Sequence, residues 1–437
     1  MPQRTHNPVR WATAVLVMFG SAVLISTAAR HGVAEHYAAS SNPNEWIRAA
    51  ILEPSNAENW YRLGRYRQLD FENSDLPLAI SYYRRAVAIN PHSARYWMDL
   101  AAAYESAGAL SEAERAFRTA QLDYPISADV AWGFGNFLLR QNRIHEAFQQ
   151  MHQAISVDPK LTELAVSRCW RSTQDVQQIL RAVLPDNPDA YWGAIDFFVD
   201  ARNPHAAAAV WKALATDGAS FPLAKAFPLV EMLIATGDAT DAVTAWRQAL
   251  SAAGVATPAA GQQSLIWDGS FEHEVLNGGF GWHDAPVAGA DFAWDQEFVH
   301  TGGRSLRIVF DGSTNLNFSG IWQFVAVDPS THYRFSAFFR TQDLTTDSGI
   351  RFEISDVSHP ENLPGWKPEA PRYTPDVVGT QEWLPAALDF ETGAETRLLR
   401  ITLRRTPSGL LANRIRGTVW VDDVSLTPMR ADAAVAK

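Results

Sequence analysis

The sequence predicts a multidomain protein in three parts: an N-terminal transmembrane helix, an all-α solenoid of helical repeats and a C-terminal all-β sandwich. Three observations carry this. Trp11 to Ala29 contains no charged residue. Pro91, Pro125 and Pro159 recur at a fixed interval of 34 residues (125 − 91 and 159 − 125), with the residues between them in phase. Beyond an Ala-, Gly-, Pro- and Gln-rich break at 252–263, apolar residues change from helical spacing to strict alternation. The expected organisation is a cytoplasmic N-terminus (1–10), a span (11–29), a lead-in segment (30–55), the solenoid (56–253), a linker (254–264), the sandwich (265–427) and a flexible tail (428–437).

The apolar stretch matches one crossing, because about 20 apolar residues span a bilayer core, whereas a cleaved signal has an apolar region of about 7 to 15. Ser26, Ala28 and Ala29 are small enough for a cleavage site, which is the alternative. Arg4 and Arg10 precede the stretch, so the positive-inside rule keeps that side cytoplasmic and sends the chain beyond Arg30 outward. A single-pass protein of a bacterial inner membrane, with most of its mass in the periplasm, is the expected localisation.

Within the repeats, large residues fall at helical spacing and small ones where two helices must approach. The middle unit reads Trp97, Leu100, Ala101, Tyr104, Gly108, Ala113, Phe117, Ala120 and Pro125. The unit before it has Trp60, Leu63, Gly64, Ala79, Tyr83 and Ala86, with extra residues from Phe71 to Asp75. The unit after it has Phe134, Gly135, Ala147, Met151 and Ala154, and degenerate units continue through Trp211 and Trp246. This pattern resembles the tetratricopeptide repeat family. The resemblance implies stacked helical hairpins that share a core and bind a protein partner. The aromatic positions themselves are expected in the core.

Composition narrows the function classes. The net charge of −11 and the lack of a Lys/Arg run exclude a nucleic-acid backbone as ligand. Cys169 is the only cysteine, so no internal disulfide can form, and core packing is its expected role.

In the C-terminal region, Ser305 to Phe310, Ile321 to Val327, Tyr333 to Arg340, Ile350 to Ser355, Leu398 to Arg405 and Thr418 to Leu426 read as strands separated by turn-forming pieces, which is the pattern of an antiparallel sandwich. Four segments carry a second resemblance: Asp268-Gly269-Ser270-Phe271-Glu272 with Gly281-Trp282, then His300 to Ile308, then Gln323 to Arg340, then Trp420 to Leu426. Together they resemble the jelly-roll carbohydrate-binding modules of families 4 and 9 and their galactose-binding-like relatives. The resemblance implies glycan binding. It also implies a structural calcium ion near Glu272 and Asp422, for which a strand clamp or a surface pair is the alternative.

Alternation divides each strand into a core face and an open face. Tyr333, Phe335, Ala337 and Phe339 face the core, as do Ile350, Phe352 and Ile354 and then Leu399, Ile401 and Leu403. If these strands share a sheet, its open face gathers Arg334, Phe338, Arg340, Arg351, Glu353, Arg400 and Arg404, a set suited to an acidic glycan. An ordinary solvated face with Arg/Glu pairs is the alternative. The Pro-rich stretch Asp356 to Glu382, followed by Trp383, reads as a long loop whose Trp366 and Tyr373 either form a stacking platform or pin the loop.

No phosphate-binding Gly-x-x-x-x-Gly-Lys, His-Glu-x-x-His, Gly-x-Ser-x-Gly or paired-cysteine metal spacing occurs, and Gly278-Gly279-Phe280-Gly281 reads as a loop. The expected function is therefore binding without catalysis and without a required cofactor. The chain is read as a membrane-anchored adaptor holding a protein on the repeats and a glycan on the sandwich, in assembly or export of a surface polysaccharide. A glycan-processing enzyme, or a protein scaffold that binds no sugar, are the alternatives.

Overall fold

The computed structural model describes residues 8–70, 72, 74–216, 218, 220–255, 264–359 and 369–429. The chain divides into two compact units, 1–190 and 191–437.

The first unit opens with α1 (Pro8–Ala38) and α2 (Pro43–Leu52). Residues Trp11–Ala38 of α1 are long and apolar enough to cross a membrane, and the most apolar part packs against nothing. The helix runs on past Ala29. Its polar end is tied down, since Arg30 donates to the Leu52 carbonyl at 2.8 Å and Arg62 donates to the Ala38 carbonyl at 2.8 Å. Ala34, Ala49 and Ala50 are fully buried there.

Three hairpins follow: α3 (Ala57–Leu69) with α4 (Leu76–Ile89), α5 (Ala94–Ser106) with α6 (Leu110–Asp123), and α7 (Ala128–Arg140) with α8 (Ile144–Val157). Asn56, Asp75 and Ser127 cap helices by accepting from backbone N–H groups that would otherwise be orphaned. The repeat residues sit where their sizes require. Leu100, Ala101, Ala113, Phe117 and Ala120 are buried. A Cβ on Gly64 would lie 2.7 Å from the Tyr83 ring, so glycine alone lets α3 and α4 meet. The repeated tryptophans also have a polar duty, because the Trp60 indole donates to Pro54 O at 3.0 Å and the Trp97 indole to Pro91 O at 2.6 Å, each six residues upstream. Then come α9 (Thr162–Thr173) and α10 (Val176–Ala182). Cys169 is fully buried in α9, and burial pushes its thiol up to about 12, which makes it a packing residue and not a nucleophile.

The second unit contains most of α11 (Pro188–Asp200), then α12 (Pro204–Thr216), α13 (Phe227–Ala235), α14 (Ala239–Ala252) and ten strands. Helix gives way to strand after Ala252, and α12 to α14 fall in the same compact unit as the strands.

The strands are β1 (Trp282–Asp284), β2 (Ala290–Asp295), β3 (Ser305–Asp311), β4 (Phe318–Ala326), β5 (His332–Thr345), β6 (Arg351–Asp356), β7 (Arg372–Tyr373), β8 (Gly379–Glu391), β9 (Leu398–Arg405) and β10 (Arg416–Pro428). They form two antiparallel sheets, β1-β4-β9-β6-β7 and β2-β3-β10-β5-β8. The core lies between them, with Phe335 and Phe339 of β5 against Phe352 of β6 at ring separations of 5.0 and 5.6 Å. Every residue expected on a core face of β5, β6 and β9 is buried.

Two expectations are corrected. The strands carrying the expected binding face do not share a sheet: β5 belongs to one sheet and β6 and β9 to the other, because β5 pairs with β10 and β8 while β9 pairs with β4 and β6. Part of the expected loop 356–382 is structured as well, with β7 and the start of β8 inside it. β8 is an edge strand, where Pro385 removes no ladder bond that the sheet needs. One polar residue faces inward by the same parity. Arg405 is fully buried, and its guanidinium donates to Asn315 Oδ1 at 2.9 Å and to the Asn413 carbonyl at 2.5 Å, so it fastens two loops at the end of the sandwich.

Candidate functional site

The outer face of the β1-β4-β9-β6-β7 sheet carries a groove of about 980 Å³. Strand register makes its floor a straight row. His283 stands opposite Trp322, Trp322 opposite Thr402 and Thr402 opposite Glu353, so one line of groove-lining side chains crosses four strands, and Glu353 stands opposite Tyr373 on the fifth, beyond the lining. A second row puts Phe324 opposite Arg400 and Arg400 opposite Ser355.

The polar groups in this floor are held by neighbours. The His283 ring stacks on Trp322 at 5.3 Å with an interplanar angle of 9°, and its Nε2 lies 3.2 Å from the Gly279 carbonyl. Arg400 lies over the other part of the platform, 4.7 Å from the Trp322 ring centroid. Arg404 pairs with Glu353 at 3.2 Å and donates to Asn317 Oδ1 at 2.5 Å. Arg351 lies 4.3 Å over Tyr373. Burial, and then the Glu353 carboxylate, raise the Tyr373 hydroxyl above its ordinary value, so it stays a neutral donor. The result is a flat apolar and cationic platform flanked by fixed hydrogen-bonding groups, which is the chemistry of a sugar ring site.

The expected residues therefore separate into two sets. Arg351, Glu353, Arg400, Arg404 and Tyr373 come together on this face. Arg334, Phe338 and Arg340 lie on the outer face of the opposite sheet, where each is already engaged. Arg334 pairs with Asp389 at 3.3 Å, Phe338 stacks on His300 at 3.7 Å, and Arg340 contacts Glu382 and lies 4.6 Å over Phe298. Trp366 lies outside the described residues. Trp322, Phe324 and His283 were not anticipated. The signal for them was in β4, where Ile321, Gln323 and Val325 are buried and the two aromatics take the other parity. Gln323 is fully buried because its amide bonds both the N–H and the carbonyl of Trp267, at 3.0 and 2.9 Å.

Glu272 and Asp422 converge on one loop. Glu272 Oε1 accepts from Gly303 N at 2.7 Å, while Asp422 accepts from His300 N at 2.8 Å, Thr301 N at 3.2 Å and Asp423 N at 2.7 Å. Burial raises the Asp422 carboxyl against the pull of those N–H donors. A calcium ion takes six to eight oxygens, whereas these oxygens face N–H groups, and no cluster of three or more His, Cys, Asp or Glu suited to a metal occurs among the described residues. These carboxylates clamp the 300–303 loop through its N–H groups.

The first unit carries a smaller recess of about 570 Å³, lined by Trp46, Tyr61, Arg62, Arg65, Tyr66 and Arg95 among others. Tyr61 stacks on Tyr96 at 4.6 Å and donates to Asp99 at 2.6 Å, and Arg95 pairs with Glu58 at 2.7 Å. These contacts link α3 to α5 and fix the recess.

The family model for tetratricopeptide repeats matches residues 70–132, which run from α4 through α6 into α7. Among solved structures, one described as "CBM4 structure and function" is 17% identical, with 38% of this chain and 99% of that chain covered and a TM-score of 0.27. The CBM22-1 xylan-binding domain of Paenibacillus barcinonensis Xyn10C is 12% identical over 39% of this chain and 97% of its own, with a TM-score of 0.26. YrrB, described as a TPR protein with an unusual peptide-binding site, is 11% identical over 48% of this chain and 92% of its own, with a TM-score of 0.25. No curated protein matches the chain.

Proposed function

We propose that this chain is a membrane-anchored adaptor whose repeats hold a protein partner and whose sandwich holds a glycan. The observation that carries the glycan reading is the His283–Trp322–Thr402–Glu353–Tyr373 row, with Arg400 over Trp322: rings supply stacking area, and hydroxyl, carboxylate and guanidinium groups supply oriented hydrogen bonds. The recess beside Tyr61 is the best-defined place for a peptide segment of the partner. In this reading α1 spans a bacterial inner membrane, the bulk of the chain is periplasmic, and the task lies in assembly or export of a surface polysaccharide. The reading requires no catalysis and no cofactor, so dialysis against EDTA is expected to leave both melting and glycan binding unchanged.

Affinity electrophoresis of the full chain against a panel of soluble polysaccharides tests the glycan reading. Retardation by at least one polymer is expected, weakened about tenfold or more in Trp322→Ala, as for truncation of a central aromatic anchor. Shortening of the polymer during the assay would favour a glycan-processing enzyme, and no retardation by any polymer would leave a protein scaffold. Protease accessibility in spheroplasts tests the orientation, with digestion of the body beyond Arg30 as the expected result.

A further inference from the structure

The Gly278-Gly279-Phe280-Gly281 cluster has no place in the binding floor, yet its glycines are required by what presses on them. A Cβ on Gly278 would lie 2.1 Å from the Phe227 ring of α13, and one on Gly279 would lie 2.6 Å from the Trp246 ring of α14. Trp246 also meets Trp267 edge-on at 6.1 Å and Phe280 at 6.3 Å. The last helical hairpin is thus seated on the segment that leads into β1, and the Gly279 carbonyl in that segment holds His283 under Trp322. This seating brings α13 to the groove. Glu231, Ile234 and Ala235 line it together with the sheet residues, and Glu231 and Ala235, four residues apart on one helix face, are both exposed.

Among the described residues that line the groove, the carboxylates of Glu231, Glu353, Asp356 and Glu369 outnumber the guanidinium groups of Arg400 and Arg404. Glu353 is paired with Arg404, Glu369 reaches Arg372 at 2.6 Å, and the Asp356 oxygens accept from Ser358 and Thr396 hydroxyls. Glu231 has no ion-pair partner among the described residues and adds to this negative excess.

We propose that α13 is one wall of the glycan groove and that Glu231 is a specificity-determining residue, making the groove accept uncharged or amino-bearing sugars and reject polyuronates. This rests on the glycan reading of the groove. It replaces the acidic ligand that five arginines on one face would have suggested, since the structure divides those arginines between two sheets.

The test is titration calorimetry of the full chain in detergent with three probes: a neutral mixed-linkage β-glucan, a chitosan oligosaccharide and polygalacturonate. Polygalacturonate is expected to bind most weakly. Glu231→Gln should narrow its disadvantage about fivefold, the worth of one charge at contact distance in water. Ala235→Trp, an exposed change that fills the wall, should weaken every probe about tenfold, and thermal melting of each variant confirms that it is folded. Tightest binding of polygalacturonate, or a Glu231→Gln or Ala235→Trp variant that binds as wild type does, overturns the proposal. In either case the glycan reading stands if Trp322→Ala still weakens binding. Absence of binding to all three probes overturns the proposal, and the glycan reading falls with it only if no polymer of the wider panel retards the chain.

Discussion

The hairpins α3 to α8 and the ten-stranded sandwich obtain their stability in opposite ways. In the hairpins the contacts come from the same hairpin or the next one: Gly64 meets Tyr83, Gly135 meets Met151, and Tyr61 meets Tyr96. In the sandwich the answers come from far away, as when Leu265 N bonds Leu426 O at 2.7 Å, or Trp420 donates to Asp295 at 2.9 Å. Loosening of one repeat therefore reaches its immediate neighbours and no further, whereas the sandwich closes only as a whole. The difference also explains what each region can offer a ligand. The hairpins present a surface built from adjacent helices, whereas the sandwich fixes a row of side chains from five strands at once.

The comparison breaks most visibly under core truncation. Phe335 is fully buried between the sheets, and Phe335→Ala is expected to cost about 3–5 kcal/mol. Hydrogen exchange should then accelerate in β5, β6 and β9 together, not in one strand alone. Ala113→Phe in α6 overpacks a position with no exposure and should cost about 1–3 kcal/mol. Its exchange should accelerate in the α5 to α8 hairpins and leave the sandwich unchanged. Uniform acceleration throughout the chain in this second variant would show that the two regions are not independent in the way their contacts suggest.

The same contrast governs what the sequence reveals. The 34-residue phase identifies the repeats because a hairpin's partner is the next hairpin, so register and neighbour come from one number. Alternation correctly assigns Phe335, Phe352 and Ile401 to the core, since parity is local. It says nothing about which strands lie side by side, and for that reason Arg334 and Arg340 were grouped with Arg400 although two different sheets carry them. The strand signal is weak over β8, whose first residues fall in the stretch 356–382 that reads as loop, because an edge strand, exposed along most of its length and carrying Pro385, lacks the buried alternation that marks a strand. Trp322 does not stand out in the sequence because a buried Gln323 between two half-buried aromatics inverts the usual hydrophobic pattern. Only the partner of Gln323, the Trp267 backbone, explains the inversion. Helix α13 as a wall could not be read at all, since Gly278 and Phe227 are far apart in sequence.

The smallest effect expected is electrostatic and sits in the repeats. Glu114 is held below the usual carboxylate range by its hydrogen bond from Arg143 at 2.6 Å, opposed by burial and aided by Arg118. A depressed carboxyl contributes stability that is fully present above its unfolded value of 4.5 and is lost as pH falls through the lower folded value. For so exposed a network this is about 0.2–1 kcal/mol. Melts of wild type and Glu114→Gln between about pH 6 and about pH 3 should converge toward the acid end. A constant difference would assign the pair no role in stability.

On the proposed reading, ligand binds the outer side of β1-β4-β9-β6-β7. Hydrogen-exchange mass spectrometry of the full chain, with and without a polysaccharide that retards it, tests this most directly. Protection is predicted in peptides covering Trp282–Asp284, Phe318–Ala326 and Leu398–Arg405, with no change over His332–Thr345. Protection confined to His332–Thr345 and its partner β8 would contradict the claim and move the site to the opposite sheet.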